Sequence, residues 1–360
     1  MSPPVAVIDG VGGYLPPGVI TNADLGAELD TSDEWIRRRT GIGARRWVAD
    51  ERIATSDLAV LAARRAIAAR GDAQAPLGAV IVATMSPDRR SPATAPVVAD
   101  KLGLQPVAAF DVGAACGGFV YALAVASSFV QSSLAEAVVV VGAECMSRVI
   151  DRTDRATAVL FGDGAGAVVV RRARSGDVGR IHCFDLGSDG ANVDLITQKG
   201  GGSLIPEPVE TSEKWLQVQG RATYRHAVAR MSASATAVLE RAGWQVAEID
   251  VVVPHQANAR IIDAVATNLG LPAAALVKTL HRMGNTSAAS IPLALAHCAA
   301  TGALAPTQRV LLTALGGGLA WGSAAVTWEH SGQVIDPLLG CADESTGTSA
   351  GKSPGELENR

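Results

Sequence analysis

Short apolar runs alternate with alanine-rich helical patterns along most of this chain, and this alternation restricts its fold more than any other feature. The runs have the length of buried strands and lie at 79–85, 107–114, 137–143, 166–172, 249–255, 309–315 and 323–329. Helical patterns such as 56–70 and 116–134 separate many of them. Strands alternating with helices are typical of α/β layers around a buried sheet, so the sequence predicts an α/β fold.

The two halves of the chain also repeat one pattern. Three pairs of segments match, namely 77–88 with 248–258, 135–145 with 307–318, and 164–172 with 321–329. Within each half, a helix that opens with small residues lies between the first two of these segments. The repetition predicts a duplicated α/β unit with halves at 1–175 and 176–330, although any α/β chain can produce similar echoes. The polar segment 331–360 is expected to be a flexible tail.

Charge and hydropathy exclude several classes of protein. The formal net charge is -4, so no overall basic field attracts nucleic acid. The apolar run 137–143 is short and lies between Glu136 and Glu144, so it is a buried strand and not a membrane span. The start of the chain has no basic region followed by an apolar stretch, so no secretory signal is expected. We expect a cytoplasmic protein that binds neither membrane nor nucleic acid.

The sequence also predicts neither a metal nor a bound nucleotide cofactor. The five cysteines form no CxxC pair, and no HExxH pattern occurs, so we expect reduced thiols and no metal site. The glycine-rich segment 162–166 lacks the GK[ST] of a phosphate loop, and 10–15 lacks the last glycine of the dinucleotide fingerprint.

Cys116 lies where a predicted strand gives way to a predicted helix. A helix N-terminus carries unpaired N–H groups and a positive dipole end, and both favour a thiolate with a lowered pKa. The next two residues, Gly117 and Gly118, leave room for a substrate. A small buried cysteine that only fills space explains this position equally well.

Two polar residues of the second half occupy comparable positions. His255 directly follows a predicted strand, where α/β proteins place their sites. Asn285 lies in a glycine-flanked loop that enters a helix, where its ordinary role is an N-cap. The three glycines at 316–318 follow another strand and expose backbone N–H groups. The N–H groups of Gly317 and Cys116 could form an oxyanion hole, and a plain glycine turn is the alternative.

Taken together, these residues resemble a known family, the β-ketoacyl-[acyl carrier protein] synthases III. The resemblance extends from about residue 5 to 329. Its motifs are TNADL (21–25), TSDEWIRRRTGI (31–42), AFDVGAACGGFVYAL (109–123), DRATAVLFGDGAGAVV (154–169), VPHQANARII (253–262), GNTSAASIPLAL (284–295) and GGGLAWGSA (316–324).

The resemblance implies a thiolase-like fold of five αβαβα layers, a homodimer and a Cys116, His255, Asn285 triad. It implies that an acyl-CoA primer is transferred to the cysteine and condensed with malonyl-acyl carrier protein, with no metal or redox cofactor. Some relatives instead pass the acyl group to an alcohol, an amine or a carrier protein. Because an altered asparagine would favour that alternative and Asn285 is intact, we rank it second.

The resemblance further implies roles for residues around the triad. Trp35 and Arg155 would sandwich the adenine of CoA, and Arg39 would lie near its phosphates. Asn258, Phe161 and Gly220 would also contact CoA. Arg225 and Arg260 would bind the acyl carrier protein. Ser91 and Leu315 would border the acyl pocket, where phenylalanine is frequent in relatives, so a longer or branched primer is expected. Gly117 also departs from the usual serine or alanine.

Overall fold

The computed structural model describes residues 5–330 and 332–339 of the 360. Its strands are β1 (Ala6–Tyr14), β2 (Val19–Thr21), β3 (Ala44–Arg46), β4 (Leu77–Ala83), β5 (Ala108–Val112), β6 (Ala137–Glu144), β7 (Gly164–Arg172), β8 (Arg180–Ser188), β9 (Ile196–Thr197), β10 (Gln217–Val218), β11 (Val251–Pro254), β12 (Arg309–Gly316) and β13 (Ala320–Thr327).

The helices are α1 (Asn22–Glu28), α2 (Asp33–Thr40), α3 (Thr55–Ala68), α4 (Thr94–Lys101), α5 (Gly118–Gln131), α6 (Arg155–Ala158), α7 (Thr211–Lys214), α8 (Gly220–Ala242), α9 (Ala259–Leu269), α10 (Leu280–Met283) and α11 (Ser290–Ala300). Two short 3-10 helices, Ala115–Gly117 and Ser287–Ala289, directly precede α5 and α11.

Two mixed sheets share one topology. The first has the order β1-β7-β6-β4-β5, and the second has the order β8-β13-β12-β11. In the first sheet β4 pairs in parallel with both β5 and β6, and in the second sheet β11 pairs in parallel with β12. The pairs β6–β7, β7–β1, β12–β13 and β13–β8 are antiparallel. A parallel bridge from Val252 to Leu276 stands where β5 lies in the first sheet. The segments that echo each other in sequence therefore hold the same places in the two sheets, as a duplicated unit requires.

The layers stack in the order helix, sheet, helix, sheet, helix. Helix α3 covers the outer face of the first sheet, and α8 covers the outer face of the second. Helices α5 and α11 lie between the sheets and contact both. The middle layer is almost wholly apolar because both of its faces are buried, and each fully buried Phe119 or Leu123 contributes roughly 2–3 kcal/mol. The five-layered α/β fold is therefore confirmed.

The predicted strands and helices are present, with bounds that shift by a few residues. Strands β1 and β8, each at one edge of its sheet, were not among the predicted strands. The predicted tail begins at 331, yet Leu338 is buried against Leu15, Met283 and Leu293. His297 Nδ1 also lies 3.0 Å from an Asp336 carboxylate oxygen, so residues 332–339 pack on the body. The rest of that segment, including Cys341, lies outside the described residues.

Across the described ranges, no helix is both long and apolar enough to cross a bilayer. In the same part of the chain, no cluster of three or more histidine, cysteine, aspartate or glutamate side chains has the arrangement of a metal site.

Candidate active site

Cys116 lies at the inner end of α5, within the 3-10 helix that links β5 to it. The sharp entry into this helix places Ala115 at a φ of 44°. The end of β12 approaches closely from the other half, because a Cβ on Gly316 would lie only 2.5 Å from the Cys116 amide nitrogen. Glycine at 316 therefore lets the glycine-rich turn reach the backbone of the nucleophile candidate.

The second half repeats this entry at Ser287, which has a φ of 48°. The Cys116 thiol donates to the Ser287 hydroxyl across 3.4 Å, although 171 positions separate the two residues. Gly142 of β6 makes this packing possible, since a Cβ there would overlap the Ala288 carbonyl oxygen. The two 3-10 helices thus meet at the centre of the middle layer.

His255 follows β11 and is buried, with its backbone N–H donating to the Thr313 carbonyl at 2.8 Å. Its Nδ1 lies 2.7 Å from the Ser290 hydroxyl oxygen, which accepts the Gln256 N–H at 3.4 Å. A hydroxyl that accepts from a backbone amide can donate its own proton to Nδ1, and this arrangement favours an imidazole proton on Nε2. Burial lowers the pKa of His255 to about 4, so the ring is neutral near pH 7.

Asn285 is held by its backbone and by one end of its side chain. Its N–H donates to the Leu160 carbonyl at 2.9 Å, and its carbonyl accepts from Gly162 at 2.9 Å. Its Oδ1 accepts the Ser287 N–H at 2.9 Å, which is the local capping contact expected of an asparagine. Because Oδ1 is used in this way, Nδ2 is the end of the amide that can serve the cavity as a donor.

One cavity of about 680 Å³ joins these groups. Most of the predicted site residues line it, namely Trp35, Arg39, Cys116, Arg155, Phe161, Gly220, Arg225, His255, Asn258, Arg260, Asn285 and Leu315. Ser91 is exposed and does not border the cavity of a single chain. Gly317 follows β12 and packs on Ile196, a lining residue, without lining the cavity itself.

The mouth of the cavity carries stacked cations around an indole. Trp35 lies on α2, with Arg39 one turn later, and the Arg39 guanidinium carbon lies 5.0 Å from the ring centroid. Arg155 lies at the same distance from the same ring and is anchored by the Asp30 carbonyl at 2.5 Å. A planar base could therefore stack on Trp35 in the place that a guanidinium now holds.

The comparisons with known proteins agree with this geometry. Family models of 3-oxoacyl-[acyl-carrier-protein] synthase III match residues 110–190 and, for the C-terminal part, 239–328. β-Ketoacyl-[acyl-carrier-protein] synthase III 3 of Streptomyces coelicolor is 50% identical over 336 residues, which is 92% of this chain and 99% of that protein. The chain belongs to the 3-oxoacyl-[acyl-carrier-protein] synthase III family.

Solved structures of synthase III proteins share the fold. The Pseudomonas aeruginosa synthase III has a TM-score of 0.83 and 43% identity, covering 92% of this chain and 99% of that one. The priming β-ketosynthase of the R1128 polyketide pathway has a TM-score of 0.84 and 33% identity, covering 91% and 98%. The resemblance inferred from the sequence motifs is therefore confirmed.

Two groups that the synthase III motifs did not single out also lie at the site. Arg221 lines the cavity one helical turn before Arg225, and their spacing on α8 could have revealed it. Ser290 holds the His255 ring, but its partner is 35 residues away, so no local pattern points to this contact. Asn258, which the family resemblance places among the CoA contacts, caps α9 by accepting the Arg260 N–H at 2.9 Å and also donates to the Arg39 carbonyl, so both ends of its amide are already hydrogen-bonded.

The state of the thiol differs from the expectation. A helix N-terminus was expected to lower the pKa of Cys116, whereas burial raises it to about 12, opposed by the Ser287 hydrogen bond. Desolvation outweighs the helix terminus because Cys116 is only 7% exposed. Cys116 therefore rests as a thiol, and a role as nucleophile would require an acceptor for its proton.

Proposed function

We propose that this chain is a condensing enzyme that primes chain synthesis from an acyl-CoA. An acyl group is transferred to Cys116 and then joined to a two-carbon unit from malonyl-acyl carrier protein, giving a β-ketoacyl thioester. The observation that carries the proposal is the convergence of Cys116, His255 and Asn285 on one cavity with a cationic mouth. This chemistry uses a thiol, an imidazole and a carboxamide, so it calls for no metal or redox cofactor.

In the first half-reaction the Cys116 sulfur attacks the thioester carbonyl of the primer. A new carbon–sulfur bond forms, the bond to the CoA sulfur breaks, and CoA leaves with a proton. Covalent storage of the acyl group divides one difficult step into two easier ones. The tetrahedral oxyanion would be held by the N–H groups of Cys116 and Gly317, which remains a prediction supported by the close approach of Gly316.

In the second half-reaction the malonyl thioester loses CO₂. Negative charge develops on its thioester oxygen, where His255 Nε2 and Asn285 Nδ2 can donate hydrogen bonds. Preorganised donors of this kind supply roughly 3–4 kcal/mol each. The resulting enolate carbon attacks the acyl group on Cys116, and the thiolate leaves. A neutral imidazole suits this role because it can donate its Nε2 proton to the developing negative charge. A charged imidazolium would also bind the malonyl carboxylate before it reacts, and binding the ground state as well as the transition state does not accelerate the step.

The cationic mouth supports an anionic substrate carried on a nucleotide. Trp35 would stack on the adenine, and Arg155 and Arg39 would contact the ring and the phosphates. Arg225 and Arg260 are exposed at the same mouth, where an acidic acyl carrier protein would present its arm.

The apolar wall of the cavity supports a primer larger than acetyl. Leu315 lines it with Met85, Ile196 and Leu216, and none of these side chains is aromatic. A panel of acyl-CoA primers in competition, with products identified by mass, tests this point. Preferred turnover of acetyl-CoA over all longer or branched primers would contradict it.

A homodimer is part of the proposal. Strand β5 forms the edge of the first sheet, and its residues are exposed or only half-buried. An edge strand of this kind can pair with a second copy of itself. Light scattering should give twice the chain mass of 36.8 kDa, and A108K, at the exposed start of β5, should shift the protein toward one copy. The free cysteines of the described residues suit a reducing cytoplasm.

The experiment that tests the function is a two-step assay. The protein is first mixed with acyl-CoA alone and weighed by intact mass, and malonyl-acyl carrier protein is then added. A covalent acyl mass followed by a β-ketoacyl product supports condensation. Release of the acyl group to another nucleophile without loss of CO₂ would favour the simple acyltransferase instead.

A further inference from the structure

Glu144 is a buried carboxyl for which the steps above have no use. It ends β6, has no exposed surface and lies behind the nucleophile. Its oxygens accept the Met85 and Ser86 N–H groups at 3.1–3.2 Å, the Ser86 hydroxyl at 2.6 Å and the Thr84 hydroxyl at 3.1 Å. Burying a carboxylate is costly even with such partners, so its position beside the site needs a reason.

Ser287 stands between this carboxyl and Cys116. The thiol donates to the Ser287 hydroxyl at 3.4 Å, and the Ser287 side chain also lowers the pKa of Glu144, against the larger effect of burial. The neighbouring Ala288 N–H also lies 3.4 Å from Glu144 Oε1, which confirms that this turn rests on the carboxylate. Ser287 therefore contacts the thiol directly, and the turn that carries it also contacts the carboxylate.

His255 is the weaker acceptor for the thiol proton. Burial lowers the pKa of its ring to about 4, and Nδ1 is already paired with the Ser290 hydroxyl at 2.7 Å. Burial raises the pKa of Glu144 to about 7, which makes it the stronger base. An ionised Glu144 beside a thiolate would place two negative charges in one dry pocket, whereas moving the proton between them leaves one.

We propose that Glu144, acting through the Ser287 hydroxyl, receives the proton of Cys116 when the nucleophile forms. The S–H bond breaks and its electron pair stays on sulfur. The proton bonds to the Ser287 oxygen while the proton of that hydroxyl moves to a Glu144 oxygen. The CoA thiolate takes its proton from water at the mouth of the cavity. Glu144 keeps the thiol proton until condensation frees the Cys116 thiolate, which then receives it by the same path in reverse. The inference rests on the proposed function, because it explains how that function's nucleophile is generated.

The next question is whether another titratable group near Glu144 could produce a change in rate near pH 7. Burial raises the pKa of Cys145, the next residue, to about 12. Burial also raises the pKa of Asp163, which lies near Cys145 and is held by the Ser147 hydroxyl at 2.6 Å and the Val48 N–H at 2.8 Å. Cys116 and His255 titrate far above and below neutrality.

The test is the pH profile of Cys116 alkylation by iodoacetamide, read by peptide mass over about pH 5 to 9. In the unaltered protein the rate should rise as Glu144 ionises and level off above about pH 7, because the proton then moves within the pair. S287A and E144Q should show no levelling, should rise with pH throughout as an ordinary thiol does, and should react about 100-fold more slowly at neutral pH. T84V is the matched control, because it removes a different hydroxyl from Glu144 and leaves Ser287 in place. Since the Thr84 hydroxyl lowers the pKa of Glu144, T84V should keep the shape of the profile and move it to higher pH.

Two results would overturn the proposal. S287A could keep the original profile, which would show that no proton passes through the hydroxyl. E144Q could react faster than the unaltered protein, which would show that the carboxylate only repels a thiolate. S287A keeps every bond from Glu144 to residues 84–86, so it decides the matter even if E144Q does not fold. Iodoacetamide needs no CoA or carrier, so either result leaves acyl transfer from acyl-CoA, tested separately, untouched.

Discussion

Ser290 Oγ lies 2.7 Å from Nδ1 of His255, and the Gln256 N–H reaches the same hydroxyl from the backbone. A Ser290 hydroxyl that donates to Nδ1 favours a ring proton on Nε2. Replacing the serine would free Nδ1, and the ring could then adopt the other tautomer, which presents a lone pair to the cavity instead of an N–H. The geometry therefore links a helix residue of α11 to hydrogen-bond donation at the reacting thioester.

We predict that S290A slows condensation about tenfold or more while the rate of Cys116 acylation changes little. The reason is that only the second half-reaction uses the Nε2 proton. Single-turnover measurements of each half-reaction check this. An equal loss in both half-reactions would point to a general packing defect and would contradict the tautomer argument.

N285A should accept the acyl group on Cys116 yet lose decarboxylation by roughly 100- to 1,000-fold. The physical reason is the loss of the Nδ2 donor from the developing enolate oxygen. Release of CO₂ from malonyl-acyl carrier protein is the measurement, and intact mass after incubation with acyl-CoA is its control. A variant that condensed at the normal rate would show that Asn285 does not have this role.

Much of the fold follows from local sequence, and the exceptions have physical causes. The Val-rich strands β4, β6 and β7 stand out because they are buried on both faces. Strand β1 is equally buried but carries Gly10, Gly12 and Gly13, two of which allow close packing against α3. Its hydrophobic run is therefore interrupted, and nothing in the sequence alone separates it from a loop. Strand β8 is half exposed and shows no clear apolar run.

The site shows the same division between local and long-range information. The positions of Cys116, His255 and Asn285 after strands or before helices could be read from the chain. The contact between Cys116 and Ser287 could not, because it depends on how two halves pack. The raised pKa of the thiol has the same origin, since a sequence reveals a helix terminus but not the depth at which it is buried.

The buried imidazole gives a pH dependence of stability. Burial lowers the pKa of His255 from 6.5 to about 4, so below pH 6.5 the unfolded chain takes up a proton that the folded one does not. The free energy of unfolding should therefore fall as the pH decreases from 6.5 to about 4. Over that range His255 should account for a loss of about 3 kcal/mol. Urea unfolding of the unaltered protein and H255N, compared across this range, isolates that contribution. Parallel pH dependences in the two proteins would contradict it.

W35A should raise KM for acyl-CoA about tenfold and leave kcat nearly unchanged, because stacking of a base on the indole is a binding interaction made before any chemistry. R38A is the matched control, since Arg38 lies on the same helix but does not line the cavity. Steady-state kinetics with varied acyl-CoA provide the measurement. A loss confined to kcat would remove Trp35 from the binding site.

The proposed function depends on a covalent acyl group on Cys116, which intact mass spectrometry of the protein after incubation with acyl-CoA detects. We expect the unaltered protein to gain one acyl mass, located on the peptide containing Cys116, and C116A to gain none. An unaltered protein without added mass, or a C116A protein that still acquires it, would show that Cys116 does not carry the acyl group.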